Sequence, residues 1–156
     1  MNDLAIARAL HVIAVILWLG GVAMVTTVLL PATRRMVEER RRVAFFEMLE
    51  GRFAMQARAT TLVAGATGFY LVVKLDLWAR FAMAGFWWMH AMVAVWLLFS
   101  LMLFVLEPIW LHRWFQQRAT AHPGSTFDLI SRLHWLLMLV SLVTAGGAMV
   151  GVHGGF

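Results

Sequence analysis

This chain has 156 residues, enough for one domain, and a formal net charge of +5; 62% of its residues are hydrophobic and 13% are charged. Soluble domains average about 45–50% apolar and about 25% charged residues. The composition therefore excludes an ordinary soluble protein and a disordered one, and it makes lipid the expected solvent. The absence of cysteine excludes disulfides, iron–sulfur clusters, thiolate zinc sites, covalently attached haem and cysteine nucleophiles.

Four long runs are free of charged residues, except that Arg58 interrupts the second; they cover residues 9–30, 53–73, 81–106 and 133–156. A helix that crosses a hydrocarbon core of about 30 Å needs about 20 residues, and each run is long enough. The chain is therefore predicted to be an all-α, integral membrane four-helix bundle that forms a single transmembrane domain over residues 1–156. The predicted helices cover about 4–30, 53–75, 81–111 and 128–153.

The segments between these helices predict the topology. Pro31 is predicted to end the first helix, and residues 34–51 are predicted to form an amphipathic helix on the cytoplasmic surface. The first and third linkers and their flanks carry ten arginines, against three basic residues on the opposite side. Because cytoplasmic loops of membrane proteins are rich in Lys and Arg, we expect both termini on the periplasmic side of a bacterial inner membrane. The basic residues then face lipid and cytoplasm, and no nucleic-acid partner is expected.

Two histidines are predicted to lie at a similar depth near the outer face. His11 is a few residues into the first helix, and His90 is a few residues into the third. Polar residues at membrane depth are costly and mark candidate functional sites. A b-type haem with two imidazole ligands needs two facing histidines and little else from the protein. The pair therefore predicts a haem whose iron binds His11 and His90, with His153 or water as an alternative second ligand.

Further residues around this pair suit a haem. Arg8 and Arg80 are placed to meet propionates, and Trp18 shares a helix face with His11, seven residues away. Small residues on three helices offer surface for the porphyrin: Gly20, Gly21, Gly65, Gly68, Gly146 and Gly147. Simpler interpretations stay open, since intramembrane His often forms interhelical hydrogen bonds, Gly allows close helix packing, and Arg anchors helices at the interface.

Two further metal sites are considered. His134 and Arg58 lie at similar depth near the cytoplasmic face, where they would bind a second haem or line a quinone cavity; His112 is more simply an interfacial residue. Copper is the other metal, because the chain has eleven methionines and soft thioethers suit Cu(I). Met89 and Met92 flank His90, but these residues also fill gaps in ordinary membrane bundles.

The first helix carries Leu10-His11, then Trp18 and Gly20-Gly21, and in this it resembles the HemJ-type and CopD-like membrane proteins. Trp88-Met89-His90 resembles the Trp-Leu-His at the start of the third helix in HemJ-type proteins. The four-helix plan of those proteins is also similar in the Arg-rich first linker, in Arg58 and in Arg132-Leu133-His134. The resemblance therefore covers nearly the whole chain.

This resemblance implies b-haem binding with His11 as an axial ligand, and either protoporphyrinogen oxidation, as in HemJ-type proteins, or copper uptake, as in CopD-like ones. Two positions depart from the HemJ-type pattern. Met92 stands where those proteins have Lys, and His134-Trp135 stands where they have Asn-Glu. The leading expectation is therefore an inner-membrane b-type haem protein in electron transfer. Its expected partners are quinone or a redox protein, and it would be a homo-oligomer or a subunit of a larger redox complex.

Overall fold

In the computed structural model of this chain, residues 2–155 are described, and of His112 only the backbone. Every element in that range is helical, and no strand occurs there. Three helical segments are long and apolar enough to cross a membrane: Asp3–Met36, Ala84–Leu111 and Pro123–Val152. The all-helical membrane architecture is therefore supported.

The first helix, α1 (Asp3–Met36), is longer than its sequence suggests. It was predicted to stop at Pro31, but the helix passes through a π-helical turn, Val25–Leu29, and continues to Met36. Proline lacks an N–H and its ring clashes with the carbonyl four residues earlier. The wider turn, in which Leu30 donates to the carbonyl of Val25, lets the chain continue.

The second helix, α2 (Arg42–Lys74), has 33 residues and follows a short 3-10 turn, Glu39–Arg41. The predicted interfacial helix over 34–51 is therefore not a separate element. Its first residues end α1, and its last ten are the beginning of α2. Since nothing between 42 and 74 lacks an N–H, no residue forces a break at position 53. α2 is long enough to cross a membrane, but it is less apolar than the three segments named above.

The third helix, α3, covers 87–121 in three parts: Trp87–Leu101, a π-helical stretch Met102–Leu111 that contains Pro108, and His112–Ala121. It begins later than the predicted position 81, because residues 78–86 form two 3-10 turns. The fourth helix, α4 (Pro123–Val152), starts with proline in its first turn, where the missing N–H has no intrahelical partner to lose.

The best-packed part of the molecule is at the charge-rich end. There the end of α1 and the beginnings of α2 and α4 enclose an apolar cluster, in which Phe46 and Phe127 are each 1% exposed. Elsewhere the helices present large apolar side chains outward, such as Ile16 at 62% and Val143 at 64% exposure. A soluble protein rarely exposes such continuous apolar surface, so these faces fit contact with lipid.

Tryptophans of α3 hold it against its neighbours. Trp96 donates from Nε1 to the carbonyl of Thr61 in α2, at 2.9 Å, and its ring covers Gly65. Trp88 is 5% exposed and packs against Gly151 of α4. Glycine is required at these contacts, because a Cβ at Gly65 would lie 2.5 Å from the Trp96 ring. These glycines therefore serve helix packing.

Candidate functional site

His11 of α1 is oriented by α2. Its Nδ1 lies 3.0 Å from the carbonyl oxygen of Ala64 and 3.1 Å from Oγ1 of Thr67. A carbonyl only accepts hydrogen bonds, so Nδ1 carries the proton, and in the neutral ring Nε2 keeps its lone pair. Metal-ligating histidines are usually held in this way, with one nitrogen bound to a carbonyl and the other presented to the metal. Among the residues that the structure describes, Nε2 of His11 has no hydrogen-bond partner.

His90 of α3 is placed differently. Its side chain is exposed, and its ring meets the edge of Phe81 at a centroid distance of 5.3 Å. Within residues 2–155, no hydrogen bond or ring contact joins His90 to His11. His153, the alternative second ligand, is also exposed, and its Nδ1 binds the carbonyl of Met149 in its own helix. A neighbouring helix thus fixes the imidazole of His11 through hydrogen bonds, and no such bond to another helix holds His90 or His153 within the described residues.

The surroundings of His11 fit a haem only in part. Trp18 meets Phe99 of α3 edge-on at 4.7 Å, and its buried Nε1 has no partner in the described chain. Such an orphaned donor suits an interior polar ligand or water. Gly68 faces the ring of His11, whereas Gly20 faces outward with no atom within 4 Å of where a Cβ would be. The glycines therefore do not form one continuous cradle.

The two arginines assigned to propionates have different environments. Arg8 is exposed, one helical turn before His11. The guanidinium of Arg80 lies over the ring of Phe86 at 5.0 Å, a cation–π contact typical of an interfacial anchor. Arg8 is thus the better-placed cation for an anionic group beside His11.

At the charge-rich end, Arg58 and His134 both bind acidic side chains. Arg58 of α2 donates from Nε to the carbonyl of Leu103 and pairs with Glu107 of α3 at 3.3 Å. His134 of α4 binds the carbonyl of Ile130 with Nδ1, at 2.9 Å, and its Nε2 lies 3.5 Å from a carboxylate oxygen of Glu50. Both partners only accept hydrogen bonds, so the two contacts together require the protonated ring, in which neither nitrogen of His134 keeps a lone pair. The side chain of His112 lies outside the described residues.

Sequence reasoning missed the roles of Glu50 and Glu107. Each is a carboxylate placed beside a polar residue at membrane depth, and the pairing joins α2 to α4 and α2 to α3. A signal was available, because an uncompensated charge at such depth is expensive and its partner must be nearby.

No cluster of three or more His, Asp or Glu residues suited to a metal ion occurs within the described residues. A haem iron takes only one or two protein ligands. This finding therefore concerns sites of the zinc type and does not test a haem site.

No family model, curated protein or solved structure matches this chain. Function must therefore be inferred from the chain's own residues and their geometry.

Proposed function

We propose that this chain is an integral membrane b-type haem protein that transfers electrons, with His11 as a ligand of the haem iron. The observation that carries the proposal is the bond from Nδ1 of His11 to the carbonyl of Ala64, 3.0 Å away. It fixes the tautomer in which Nε2 is able to bind a metal.

When bound, haem supplies reversible one-electron chemistry. The residues of this chain would hold and insulate it: His11 binds through Nε2, Ala64 and Thr67 fix the imidazole, and Arg8 offers a cation for a propionate. Trp18, on the same face of α1 as His11, packs edge-on against Phe99 of α3. His90 is proposed as the second ligand; its side chain is exposed on α3 and would have to turn toward the site.

The same proposal includes the topology. Four spans, counting α2, place both termini in the periplasm of a bacterial inner membrane and the arginine-rich segments in the cytoplasm. The electron partner is proposed to be quinone or a membrane redox protein, in a homo-oligomer or a larger complex. The 33 residues of α2 extend to roughly 50 Å, which is more than enough to cross the hydrocarbon.

The test is the absorption spectrum of the detergent-purified protein, oxidised and then reduced with dithionite, with the haem quantified as its pyridine haemochrome. We expect a redox-sensitive Soret band with close to one haem per chain, lost in His11→Ala. His122→Ala is the control, because that histidine is exposed between α3 and α4 at the charge-rich end and has no assigned role in the site. His90→Ala is expected to shift the spectrum to a five-coordinate form.

A protein that is colourless when expressed with ample haem would overturn the proposal. Metal analysis then separates the remaining functions, since a CopD-like copper protein would retain copper through Met89 and Met92. A haem-containing protein that also restores growth of a strain lacking protoporphyrinogen oxidation would have HemJ-type activity. A haem band unaffected by His11→Ala would exclude the proposed ligand.

A further inference from the structure

A cavity of about 490 Å³ opens between α1 and α4 at the charge-rich end. Its rim carries the side chains of Arg34, Arg35, Asp128 and Arg132, and its inner part carries Leu30, Pro31 and Trp135. The cavity is separate from His11, which contacts α2 near the other end of α1. No role proposed above uses it.

The rim has a surplus of positive charge. Arg34 forms an ion pair with Asp128, and its guanidinium lies 5.6 Å from the centroid of the buried Phe127 ring. These two contacts fix Arg34 at the edge of the cavity. Arg35 and Arg132 have no acidic partner among the described residues, so three guanidinium groups face one carboxylate. The rim is therefore suited to an anion with several oxygens, since guanidinium groups bind phosphate in a two-pronged geometry.

The inner wall is apolar and extends toward membrane depth. Thr26, at its inner end, is eight residues before Arg34, which is roughly 12 Å along the helix. Trp135 is 45% exposed at the cavity wall, and Val28 nearby is 57% exposed on the outer face of α1. The cavity thus combines a cationic rim with an apolar side toward lipid. A soluble anion would use the rim only, whereas an amphipathic one would use both.

We propose that this cavity binds an anionic phospholipid, with the headgroup phosphate at Arg35 and Arg132 and an acyl chain along Leu30 and Trp135. Basic pockets between membrane helices are suited to such headgroups. The π-turn Val25–Leu29 and Pro31 form the α1 side of this wall.

The experiment measures lipid binding to the full chain in detergent by native mass spectrometry, comparing phosphatidylglycerol with phosphatidylcholine. We expect one phosphatidylglycerol per chain to bind in preference to phosphatidylcholine. Arg35→Gln/Arg132→Gln should reduce that preference by about 30-fold. Each arginine near an anionic headgroup contributes about 1 kcal/mol, and the loss of two such contributions corresponds to this factor. Arg40→Gln/Arg41→Gln is the matched control: it removes the same charge from the exposed 3-10 turn and should leave the preference unchanged.

Arg35→Lys/Arg132→Lys keeps both charges and should retain most of the preference, which separates loss of the site from loss of the fold. The preference should also weaken as salt is added, because exposed charges are screened. Inorganic phosphate at millimolar concentration is the soluble competitor. Equal binding of the two lipids, equal loss in the control pair, or displacement of the lipid by phosphate alone would each overturn the proposal.

Discussion

Arg58 of α2 donates from Nε to the main-chain carbonyl of Leu103 in α3, across 3.1 Å. In a π-helix the carbonyl of residue 103 would receive the N–H of residue 108, five positions later. Residue 108 is proline and has no N–H. Arg58 therefore supplies the donor that Pro108 removes, and a second nitrogen of the same guanidinium pairs with Glu107. A proline inside a membrane helix is tolerated when a neighbouring helix satisfies the freed carbonyl.

The first prediction concerns this contact. Arg58→Leu should reduce the free energy of unfolding by about 1–3 kcal/mol, because it removes a charged donor from a carbonyl and from a carboxylate. Unfolding is measured by circular dichroism as dodecyl sulfate is added to mixed micelles. Arg52→Leu is the control, since Arg52 lies on the same helix with an exposed side chain, and it should have little effect.

A double-mutant cycle isolates the ion pair. Arg58→Leu and Glu107→Gln should be non-additive by about 0.5–3 kcal/mol, as expected for residues in direct contact. If the two effects on the free energy of unfolding simply add, the pair does not contribute to stability and Arg58 acts only through Leu103.

The second prediction tests the close packing of α2 on α3. Gly65→Ala should lower the free energy of unfolding by about 1–3 kcal/mol, because its Cβ would lie 2.5 Å from the ring of Trp96. Trp96 cannot easily move away, since its Nε1 binds the carbonyl of Thr61. Gly20→Ala is the matched control, with open space at that position, and should be neutral or slightly stabilising, because Ala favours helix over Gly. Equal effects of the two changes would contradict the packing.

The third prediction concerns the pair that joins α2 to α4. Glu50→Gln should reduce the free energy of unfolding by about 0.5–1.5 kcal/mol, because protonated His134 donates from Nε2 to the Glu50 carboxylate, at 3.5 Å, and a neutral amide is a weaker acceptor. Glu38→Gln is the control; this glutamate is exposed in the turn between α1 and α2. Both variants are measured in the same mixed-micelle titration. A larger loss in Glu38→Gln than in Glu50→Gln would show that the contact does not stabilise the bundle.

The fourth prediction tests the proposed topology. The chain has no cysteine, so a single introduced cysteine is a unique label site. With four spans, Met36→Cys and Gln117→Cys should react with an impermeant maleimide only after the inner membrane is opened. Ala79→Cys should react in intact spheroplasts. All three positions are exposed. If Met36→Cys and Ala79→Cys are labelled from the same side, α2 does not cross the membrane.

The helical, apolar character of this chain could be predicted from sequence, because it depends on the summed hydropathy of consecutive residues and not on their tertiary contacts. About 20 consecutive apolar residues are sufficient for a spanning helix, whatever they pack against. The helix boundaries were less predictable. Pro31 was expected to end α1, yet the π-turn before it allows the helix to reach Met36. Local rules give the cost of proline in a helix but not the alternative hydrogen bonding that avoids a break.

The amino-acid sequence alone determined that polar residues occur within or beside long apolar runs, since His11, Arg58 and His134 stand out against apolar neighbours. Only the tertiary structure decided what each one binds. His11 meets Ala64, 53 residues away, and its Nε2 stays free; His134 meets Glu50 and keeps no free nitrogen. These partners lie on other helices, and helix orientation follows from the packing of all four. Whether a polar side chain is available for a ligand or is used within the protein is therefore a property of the fold.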